Sequence, residues 1–293
     1  MNYPRISIVT PNFNKVQFLE ETILSVLSQN YPNLEYIIID GGSTDGSVDI
    51  IKRYADKLTY WVSEPDNGPY DAVKKGFDHS SGEIMAWIGS DDMYHPNSFF
   101  TVADIFSRWP DVSWLVGAMT HYDEIGRTVR VARSHYFNHI DFLTHRYKWI
   151  QQESCFWRRS IYDKAGGISV NYKLAGDLDL WMRFSRYEKM YITNALIAGF
   201  RISDNQLSKD MKSYQQEVDA IIVSEPVSTE ERRQVKAVRR ARRIISLMQK
   251  LKLFNGRVLE WLLLRDYDDE VKSHQIIYDF NCKSFTINKT QKR

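Results

Sequence analysis

The stretch that decides the fold is Ile84–His95, IMAWIGSDDMYH. Its first five residues are apolar, which predicts a short strand buried in the middle of a sheet. The strand ends at Gly89-Ser90, and Asp91 and Asp92 follow immediately. Two carboxylates at the end of a core strand repel each other and lose contact with water, so a purely structural role is hard to assign to them.

Two interpretations of the Asp91-Asp92 pair are open at this point. A divalent cation held against a diphosphate would relieve the repulsion, because Mg²⁺ and Mn²⁺ bind carboxylate oxygens together with phosphate oxygens of a substrate. Alternatively, the pair forms an exposed turn that caps the helix beginning at Pro96. The rest of the chain is needed to choose between them.

Composition restricts the class of protein. The 293 residues are enough for one large domain with an extension, or for two domains. A net charge of only +2 does not indicate a nucleic-acid partner. Cys155 and Cys282 lie far apart without metal-type spacing, which is typical of a protein in a reducing cytosol.

The N-terminus and the hydropathy of the chain predict a location. The first nine residues, MNYPRISIV, lack the long apolar region of a signal peptide. No apolar run in the sequence approaches the roughly 18 residues that a membrane span needs. We therefore expect a cytoplasmic protein that is either free or peripheral on the inner face of the cell membrane.

Strands and helices alternate over the first third of the chain. Strands are predicted at Arg5–Thr10, Leu34–Asp40 and Leu58–Ser63, each an apolar run bounded by turn residues. The first intervening helix has Asn14 as its expected N-cap, and its apolar face consists of Leu19, Ile23, Val26 and Leu27. This order predicts an α/β fold with a parallel, Rossmann-like sheet.

Polar residues stand where these strands end, namely Thr10, Asp40, Glu64 and Asp91. Ligands bind beyond the carboxyl ends of the strands in such sheets, so this convergence predicts a binding site. Asp40 can accept a hydrogen bond from a base N–H or a ribose hydroxyl. The glycines that follow it do not form G-x-G-x-x-G, which argues against an NAD site.

The sheet is predicted to become mixed after its central strand. Pro65–Gly76 reads as a turn leading into a helix whose first turn lies near Asp71. A helix is expected over Pro96–Arg108 and a strand over Val112–Met119, with Gly126–Ala132 hairpinned to it. The hairpin introduces an antiparallel pair.

Two later segments supply further candidate residues. Gln151–Trp157 places Glu153 beside aromatic residues, which suits sugar hydroxyls and sugar faces, but also a strand with one wet face. Ala175–Phe184 predicts a helix that starts near Asp177. Its core-facing residues are Leu178, Trp181, Met182 and Phe184. Asp177 is then either a helix cap or a general base that takes a proton from an acceptor hydroxyl, with Asp179 the second choice.

A further strand is predicted over Tyr191–Ile202. Arg201 and Gln206 follow its apolar part and are predicted to lie on a loop. A loop that carries a cation and an amide can close over a diphosphate.

Taken together, these segments resemble the family 2 glycosyltransferases, inverting enzymes of the GT-A fold. The matching motifs are VTPNFN at 9–14, DGGSTDGS at 40–47, DNGPYDAVKKG at 66–76, SDD at 90–92, QES at 152–154 and GDLDLW at 176–181. They occur in family order over about residues 5–208, and the set is highly specific although each motif is weak alone. The resemblance implies a mixed central sheet flanked by helices, a nucleotide-sugar donor, most often UDP-linked, and a divalent cation, Mn²⁺ or Mg²⁺.

The resemblance also implies roles for individual residues. Pro11 and Phe13 would line the base pocket, Asp40 would hold the base edge, and Asp91 would lie by the ribose. The full set assigned to the nucleotide-sugar site is Thr10, Pro11, Phe13, Asp40, Asp71 and Asp91.

The reacting groups are assigned in the same way. Asp92 would bind the metal on the diphosphate, and Asp177 would be the catalytic base. Glu153 and Trp181 are assigned to the acceptor site. The chain departs from the family pattern at Lys74, where many relatives have Asn, and the segment after Arg201 lacks a His often found there; both leave the donor sugar open.

The composition changes near Ser208, so we predict a catalytic domain over 1–208 and a helical extension over 209–293. Thr229–Leu264 has a helical pattern with an apolar stripe and many cations. A basic amphipathic helix of this kind, with Trp261 near its end, can lie on an anionic membrane through residues 229–265. The alternatives are a helical hairpin packed on the catalytic domain, or a dimer contact.

The predicted function is inverting, metal-dependent transfer from a nucleotide-sugar to a hydroxyl of a saccharide or lipid-linked saccharide, in the synthesis of a surface polysaccharide or glycoconjugate. A nucleotidyltransferase also uses a metal and carboxylates, but it usually has a basic, Gly-rich loop where this chain has PNFN. A catalytically silent scaffold or glycan-binding module is the other alternative. The joint presence of Asp40, Asp92 and Asp177 argues against it.

Overall fold

The computed structural model describes residues 3–146, 150–204, 206, 209–250 and 274–287. The strands are β1 (Ile6–Asn12), β2 (Leu34–Asp40), β3 (Tyr60–Ser63), β4 (Ile84–Trp87), β5 (Met93–Tyr94), β6 (Trp114–Val116), β7 (Met119–Tyr122), β8 (Thr128–Ala132), β9 (Cys155–Arg158), β10 (Tyr191–Thr193), β11 (Ala198–Arg201), β12 (Gln275–Asp279) and β13 (Ser284–Ile287). The α-helices are α1 (Val16–Leu27), α2 (Ser47–Arg53), α3 (Pro69–Asp78), α4 (Ser98–Arg108), α5 (His139–Leu143), α6 (Arg159–Lys164), α7 (Gly176–Ser185), α8 (Met211–Ser224) and α9 (Thr229–Lys250). Short 3-10 turns lie at Ala55–Lys57 and Gln152–Ser154.

The larger sheet has the order β13-β12-β10-β6-β9-β4-β1-β2-β3 over the described residues. β4 lies inside it, parallel to β1 on one side and antiparallel to β9 on the other, and all four of its residues are buried. β1, β2 and β3 are mutually parallel. The predicted Rossmann-like start, the buried central strand and the change to a mixed sheet are therefore confirmed.

A second, smaller sheet has the order β5-β11-β7-β8. It shows that two predicted single strands, Val112–Met119 and Tyr191–Ile202, were wrong, because each is broken and its halves join different sheets. Gly117 lies at the first break, where an added Cβ would come within 2.5 Å of the Ile197 side chain. The two breaks therefore pack against each other, and only a residue without a side chain allows that approach.

Helix α1 buries Leu19, Ile23 and Val26 as predicted. The expected N-cap is wrong, because Lys15 occupies the cap position, without a side-chain cap bond among the described residues. Asn14 instead has a φ of 51°, and its side-chain oxygen accepts from the Thr44 N–H at 2.9 Å. The Asn14 side-chain oxygen therefore binds the loop after β2 and does not cap α1.

Helices α8 and α9 both contact the preceding part of the chain, α8 at α7 and α9 at α5. Val218 and Ile221 of α8 are buried, and Arg239 and Arg242 of α9 donate to backbone carbonyls at the end of α5. The extension was predicted to be helical. It also contains a strand, β12, which pairs with β10 and extends the larger sheet.

The prediction for the rest of the basic segment, including Trp261, lies outside the described residues. Within the described part of the chain, no helix is both long and apolar enough to cross a membrane.

Candidate active site

A cleft of about 1140 Å³ opens at the carboxyl end of the β1–β4 region. Its walls come from the end of β1, the turn after β4, the start of α3, the segment before α7 and the first half of α8. Pro11, Phe13 and Asp91 line it, as the sequence predicted. Phe13 is 59% exposed, so a large aromatic face is available to a planar ligand at the cleft mouth.

The Asp91-Asp92 turn is built tightly against the end of the central strand. An added Cβ on Gly89 would lie 3.0 Å from Asp92 Oδ2 and 3.1 Å from Asp91 Oδ1, so both carboxylates face the glycine. Asp91 Oδ2 accepts from Lys15 Nζ at 2.8 Å, a cation that the sequence analysis missed. Asp92 is only 5% exposed, and this burial contradicts the alternative of an exposed capping turn.

The environment of Asp92 disfavours its charged form. Asp92 Oδ1 accepts from the backbone N–H of Arg201 at 2.8 Å. Burial raises the pKa of the Asp92 carboxyl well above its usual range, and the negative charges of Asp91 and Glu153 raise it further. A cation close to this carboxyl group would favour its charged form.

The donor set at this turn fits a hard divalent cation. Two carboxylates face the space over Gly89, and Glu153 Oε1 is buried without a hydrogen-bond partner in the described structure. No three His, Cys, Asp or Glu side chains among the described residues converge to hold a metal by themselves. Mg²⁺ and Mn²⁺ commonly take one or two protein carboxylates and complete their coordination with substrate phosphate and water.

Asp177 lies in the first turn of α7, just after the segment whose Lys173 and Leu174 line the cleft; Asp177 itself is not among the lining residues. Its Oδ1 accepts from the Tyr70 hydroxyl at 3.2 Å and from the Leu178 N–H at 2.8 Å. Gly176 permits this contact, because an added Cβ would come within 2.7 Å of the Tyr70 ring. Burial raises the pKa of Asp177 to about 6, so the group can exchange a proton near neutral pH.

Asp179, the second choice for the general base, forms an ion pair with Arg183. Arg183 donates to Asp179 Oδ2 at 2.6 Å and 3.0 Å, and this ion pair stabilises the helix locally. The N-cap of α7 is Ala175, so Asp177 does not occupy the cap position that the alternative interpretation gave it.

Glu153 and Trp181 do not lie where an acceptor could touch them. Glu153 is 2% exposed, and burial raises its pKa to about 8, with the charges of Asp91 and Asp177 also raising it. The Glu153 carboxyl group is therefore buried and is not among the residues that line the cleft. Trp181 is 1% exposed and stacks between Trp87 and Trp114, so its assignment to the acceptor site is wrong and its core-facing position is confirmed.

The Asp40 carboxylate accepts hydrogen bonds from the protein at both of its oxygens. Among the described residues it accepts five hydrogen bonds, from Asn12 Nδ2, the Gly42 N–H, the Ser43 N–H and hydroxyl, and the Ser63 hydroxyl. Asp40 is 0% exposed, and these bonds lower the pKa of its carboxyl despite burial. In the structure Asp40 holds the loop after β2 and does not line the cleft, so its contact with the base edge stays a prediction.

Two other predicted donor-site residues also turn inward. Thr10 is 0% exposed and its hydroxyl shares a hydrogen bond with that of Tyr36 at 3.1 Å. Asp71 Oδ2 accepts from the Asn67 N–H at 3.0 Å, which closes the turn into α3. Asp66, not Asp71, lines the cleft. The sequence analysis did not single out Asp66, although it is the first residue of the motif DNGPYDAVKKG.

Arg201 does not lie on a mobile loop over the cleft. It ends β11, is 0% exposed, and donates to the Asp91 carbonyl at 2.7 Å and to Glu21 at 2.6 Å. Its guanidinium is therefore a support for the Asp91-Asp92 turn. Gln206 donates to the Arg201 carbonyl, so its amide is also engaged.

Comparison with known proteins agrees with this geometry. The profile described as "Glycosyl transferase family 2" matches residues 7–166. An uncharacterized glycosyltransferase of Rickettsia typhi is 26% identical over 229 residues, which are 74% of this chain and 70% of that protein. An uncharacterized glycosyltransferase of Mycobacterium tuberculosis is 31% identical over 182 residues, 61% of this chain and 68% of that protein.

Two solved structures share the fold. S. aureus TarS 1-349 in complex with UDP-GlcNAc matches with a TM-score of 0.63 and 16% identity, covering 91% of this chain and 81% of that one. A mannosyltransferase from Pyrobaculum calidifontis in complex with GDP-Man and Mn²⁺ matches with a TM-score of 0.60 and 16% identity, covering 80% of this chain and 68% of that one. The fold of this protein is thus the GT-A type, and the family profile spans more than half of its length. This chain belongs to glycosyl transferase family 2.

Proposed function

We propose that this glycosyltransferase transfers a sugar from a nucleotide-sugar, a UDP-sugar in the first instance, to a hydroxyl of a saccharide or lipid-linked saccharide, with inversion at the anomeric carbon. The observation that carries the proposal is the pairing of two carboxyl groups with raised pKa values, Asp92 and Asp177. Asp92 directly follows Asp91, which lines the cleft, and Asp177 follows the cleft-lining residues Lys173 and Leu174 by a few positions. The two carboxyl groups have different surroundings that suit different tasks.

The donor is expected to lie along the cleft with its base against Pro11 and Phe13 and its diphosphate towards the Asp91-Asp92 turn. Asp92, with Asp91 beside it, would hold a divalent cation, which when bound offsets the negative charge on the diphosphate. Lys15, paired with Asp91 at 2.8 Å, supplies a positive charge at the same end.

Asp177 performs the proton transfer in this proposal. Its carboxylate takes the proton of the acceptor hydroxyl, whose oxygen attacks the anomeric carbon from the face opposite the nucleotide. The bond between the anomeric carbon and the diphosphate oxygen breaks as the new glycosidic bond forms, and the configuration inverts. Tyr70, which donates to Asp177 Oδ1, orients the carboxylate so that the other oxygen can reach the acceptor.

A panel of nucleotide-sugars tests the reaction class. We expect slow hydrolysis of one donor with release of free nucleoside diphosphate, because water can replace the acceptor hydroxyl. Formation of a nucleoside triphosphate and a sugar 1-phosphate when pyrophosphate is added to the nucleotide-sugar would instead indicate a nucleotidyltransferase. Failure of every nucleotide to raise the melting temperature, with or without Mn²⁺, would indicate a silent scaffold.

We further propose that residues 1–208 form the catalytic domain and that the extension, 209–293, brings it to an anionic membrane. Over Thr229–Lys250 there are eight Lys or Arg residues and two Glu residues, a net charge of +6 (8 − 2). Ile244 and Leu247 are exposed on the same helix. An exposed cationic helix with apolar residues binds anionic lipid surfaces, and a lipid-linked acceptor would be found there.

Flotation with vesicles of anionic phospholipid tests the membrane proposal. We expect the full chain to float, and a variant with Arg233, Lys236, Arg240 and Arg243 changed to Gln to stay in the soluble fraction. Lys52→Gln, at an exposed site on α2, is the control for loss of charge alone. Equal flotation of all three proteins, or of none, would contradict the proposal.

A further inference from the structure

Helix α8 of the extension reaches the segment that leads into α7. Glu217 Oε1 accepts from the Lys173 N–H at 3.0 Å. Glu217 Oε2 accepts from the Leu174 N–H at 2.9 Å and from the Ala175 N–H at 2.8 Å. One carboxylate therefore holds three consecutive backbone N–H groups, directly before the helix that bears Asp177.

Of these three N–H groups, that of Ala175 belongs to the start of α7, and those of Lys173 and Leu174 precede the helix. Ala175 is the N-cap of α7 and has no side-chain cap bond in the described structure, and N–H groups at the start of a helix lack helical partners. Glu217 satisfies the N–H of Ala175 from outside the helix, together with the two N–H groups that precede it. Lys173, Leu174 and Glu217 itself also line the cleft, so this contact forms part of the cleft wall.

We propose that Glu217 is a positioning residue for the catalytic base, so that the extension contributes to the active site. The inference rests on the proposed role of Asp177. By fixing residues 173–175, Glu217 sets the start of α7 and with it the place of the Asp177 carboxylate relative to the acceptor. Misplacing a reacting group by about 1 Å can lower a rate roughly 100-fold, so such an anchor has a large effect without touching substrate.

Three groups from different elements act on Asp177. Tyr70 of α3 donates to it, while Glu217 of α8 and Glu153 of the 3-10 turn are carboxyl groups near it. The negative charge of Glu217 adds to burial in raising the pKa of Asp177. Neutralising Glu217 should therefore move the acid limb of the rate profile to lower pH, which a loss of stability alone would not do.

The test compares full-length Glu217→Ala and Glu217→Gln with Asp219→Asn, which removes the same charge from an exposed site on the same helix. The assay measures the release of UDP from a UDP-sugar. We expect kcat to fall about 100-fold in Glu217→Ala, with UDP affinity unchanged. Glu217→Gln should fall less, because its amide oxygen can still accept from Leu174 and Ala175. Asp219→Asn should stay within about twofold of the wild type.

Amide hydrogen exchange provides a readout independent of activity. Exchange at residues 173–175 should accelerate in Glu217→Ala and remain slow in Asp219→Asn. A Glu217→Ala kcat equal to that of Asp219→Asn, an equal loss of UDP affinity, or unchanged exchange would each overturn the proposal. If Glu217→Ala does not fold, the test uses Glu217→Gln. A kcat and an acid limb of the rate profile equal to those of the wild type would then overturn the proposal.

Failure of the proposed function would look different. If the wild type released UDP from no UDP-sugar, the assignment of Asp177 as base would fall, and the positioning role would fall with it. Hydrogen exchange would then still report whether Glu217 anchors residues 173–175.

Discussion

Two buried carboxyl groups, Asp40 at the end of β2 and Asp92 in the turn between β4 and β5, have opposite surroundings. Asp40 accepts five hydrogen bonds from the described residues, and its pKa is lowered. Asp92 Oδ1 accepts one backbone N–H from Arg201, Asp92 lies beside two other acids, and its pKa is raised. Both carboxyl groups are buried, so the difference lies in how the protein compensates the charge.

Under the proposed function, this difference distinguishes a structural carboxylate, Asp40, from a ligand-binding one, Asp92. A buried charge that the protein fully satisfies stabilises the native state, and breaking its bonds costs stability. A buried charge left uncompensated lowers stability and persists where a ligand completes it. Asp40 and Asp92 should therefore respond oppositely to the same substitution by Asn.

The largest effect is expected at the third carboxylate, Asp177, which extends the comparison to a proton-transfer site. Asp177→Asn keeps an oxygen for the Tyr70 and Leu178 hydrogen bonds but removes the base, so transfer should fall about 10²- to 10⁴-fold. The assay is steady-state sugar transfer, with UDP binding as the check on folding.

Asp179→Asn is the matched control, since Asp179 is engaged with Arg183. Near-normal turnover of Asp177→Asn, or loss of activity in Asp179→Asn instead, would remove Asp177 from the base role.

Asp92→Asn tests the functional side of the comparison. The metal-dependent rate should fall about 10²- to 10³-fold, as for loss of one group that stabilises developing charge. The melting temperature without metal should stay level or rise, because a poorly compensated charge is removed while the Arg201 contact is kept. A fall in melting temperature with normal turnover would reverse the assignment of Asp92.

Asp40→Asn tests the structural side. Its amide group would face donors that now lack an acceptor, so the free energy of unfolding should fall by roughly 3 kcal/mol. The folded fraction should keep measurable turnover. Chemical denaturation measures the effect, and Asp49→Asn, at a largely exposed site, should change stability by less than about 0.5 kcal/mol. An inactive Asp40→Asn protein of normal stability would break the comparison.

The smallest effect is a change of rate with pH. Because Asp177 must be ionised to accept a proton and its pKa is raised to about 6, kcat should fall about tenfold for each pH unit below 6. Rates measured between pH 5 and 8 at saturating donor, with circular dichroism to confirm folding, check this. A rate that is constant down to pH 5 would contradict the assignment.

Much of the fold was predictable because its signals are local. The apolar run Ile84–Ile88 and the strand Leu34–Asp40 are specified by their own residues, and the structure has β2 with the predicted bounds. The sheet change at Gly117 was not predictable, since it depends on contact with Ile197, a residue far away in the sequence.

The location of the site was predictable, but the roles of several of its residues were not. Asp91 and Phe13 line the cleft as expected, because residues at strand ends converge. The sequence could not show that Asp40 is saturated by hydrogen bonds, nor that Glu217 reaches residues 173–175. Both depend on which donors and acceptors the fold brings together over long distances in the chain.

The most direct test of the central claim, that Asp92 is where a cation and the diphosphate of the donor meet, is a thermal-shift measurement with UDP and Mn²⁺. In the wild type, UDP and Mn²⁺ together should raise the melting temperature more than the sum of their separate effects. In Asp92→Asn, UDP should stabilise to the same extent whether or not Mn²⁺ is present. The same added stabilisation in both proteins would contradict the claim.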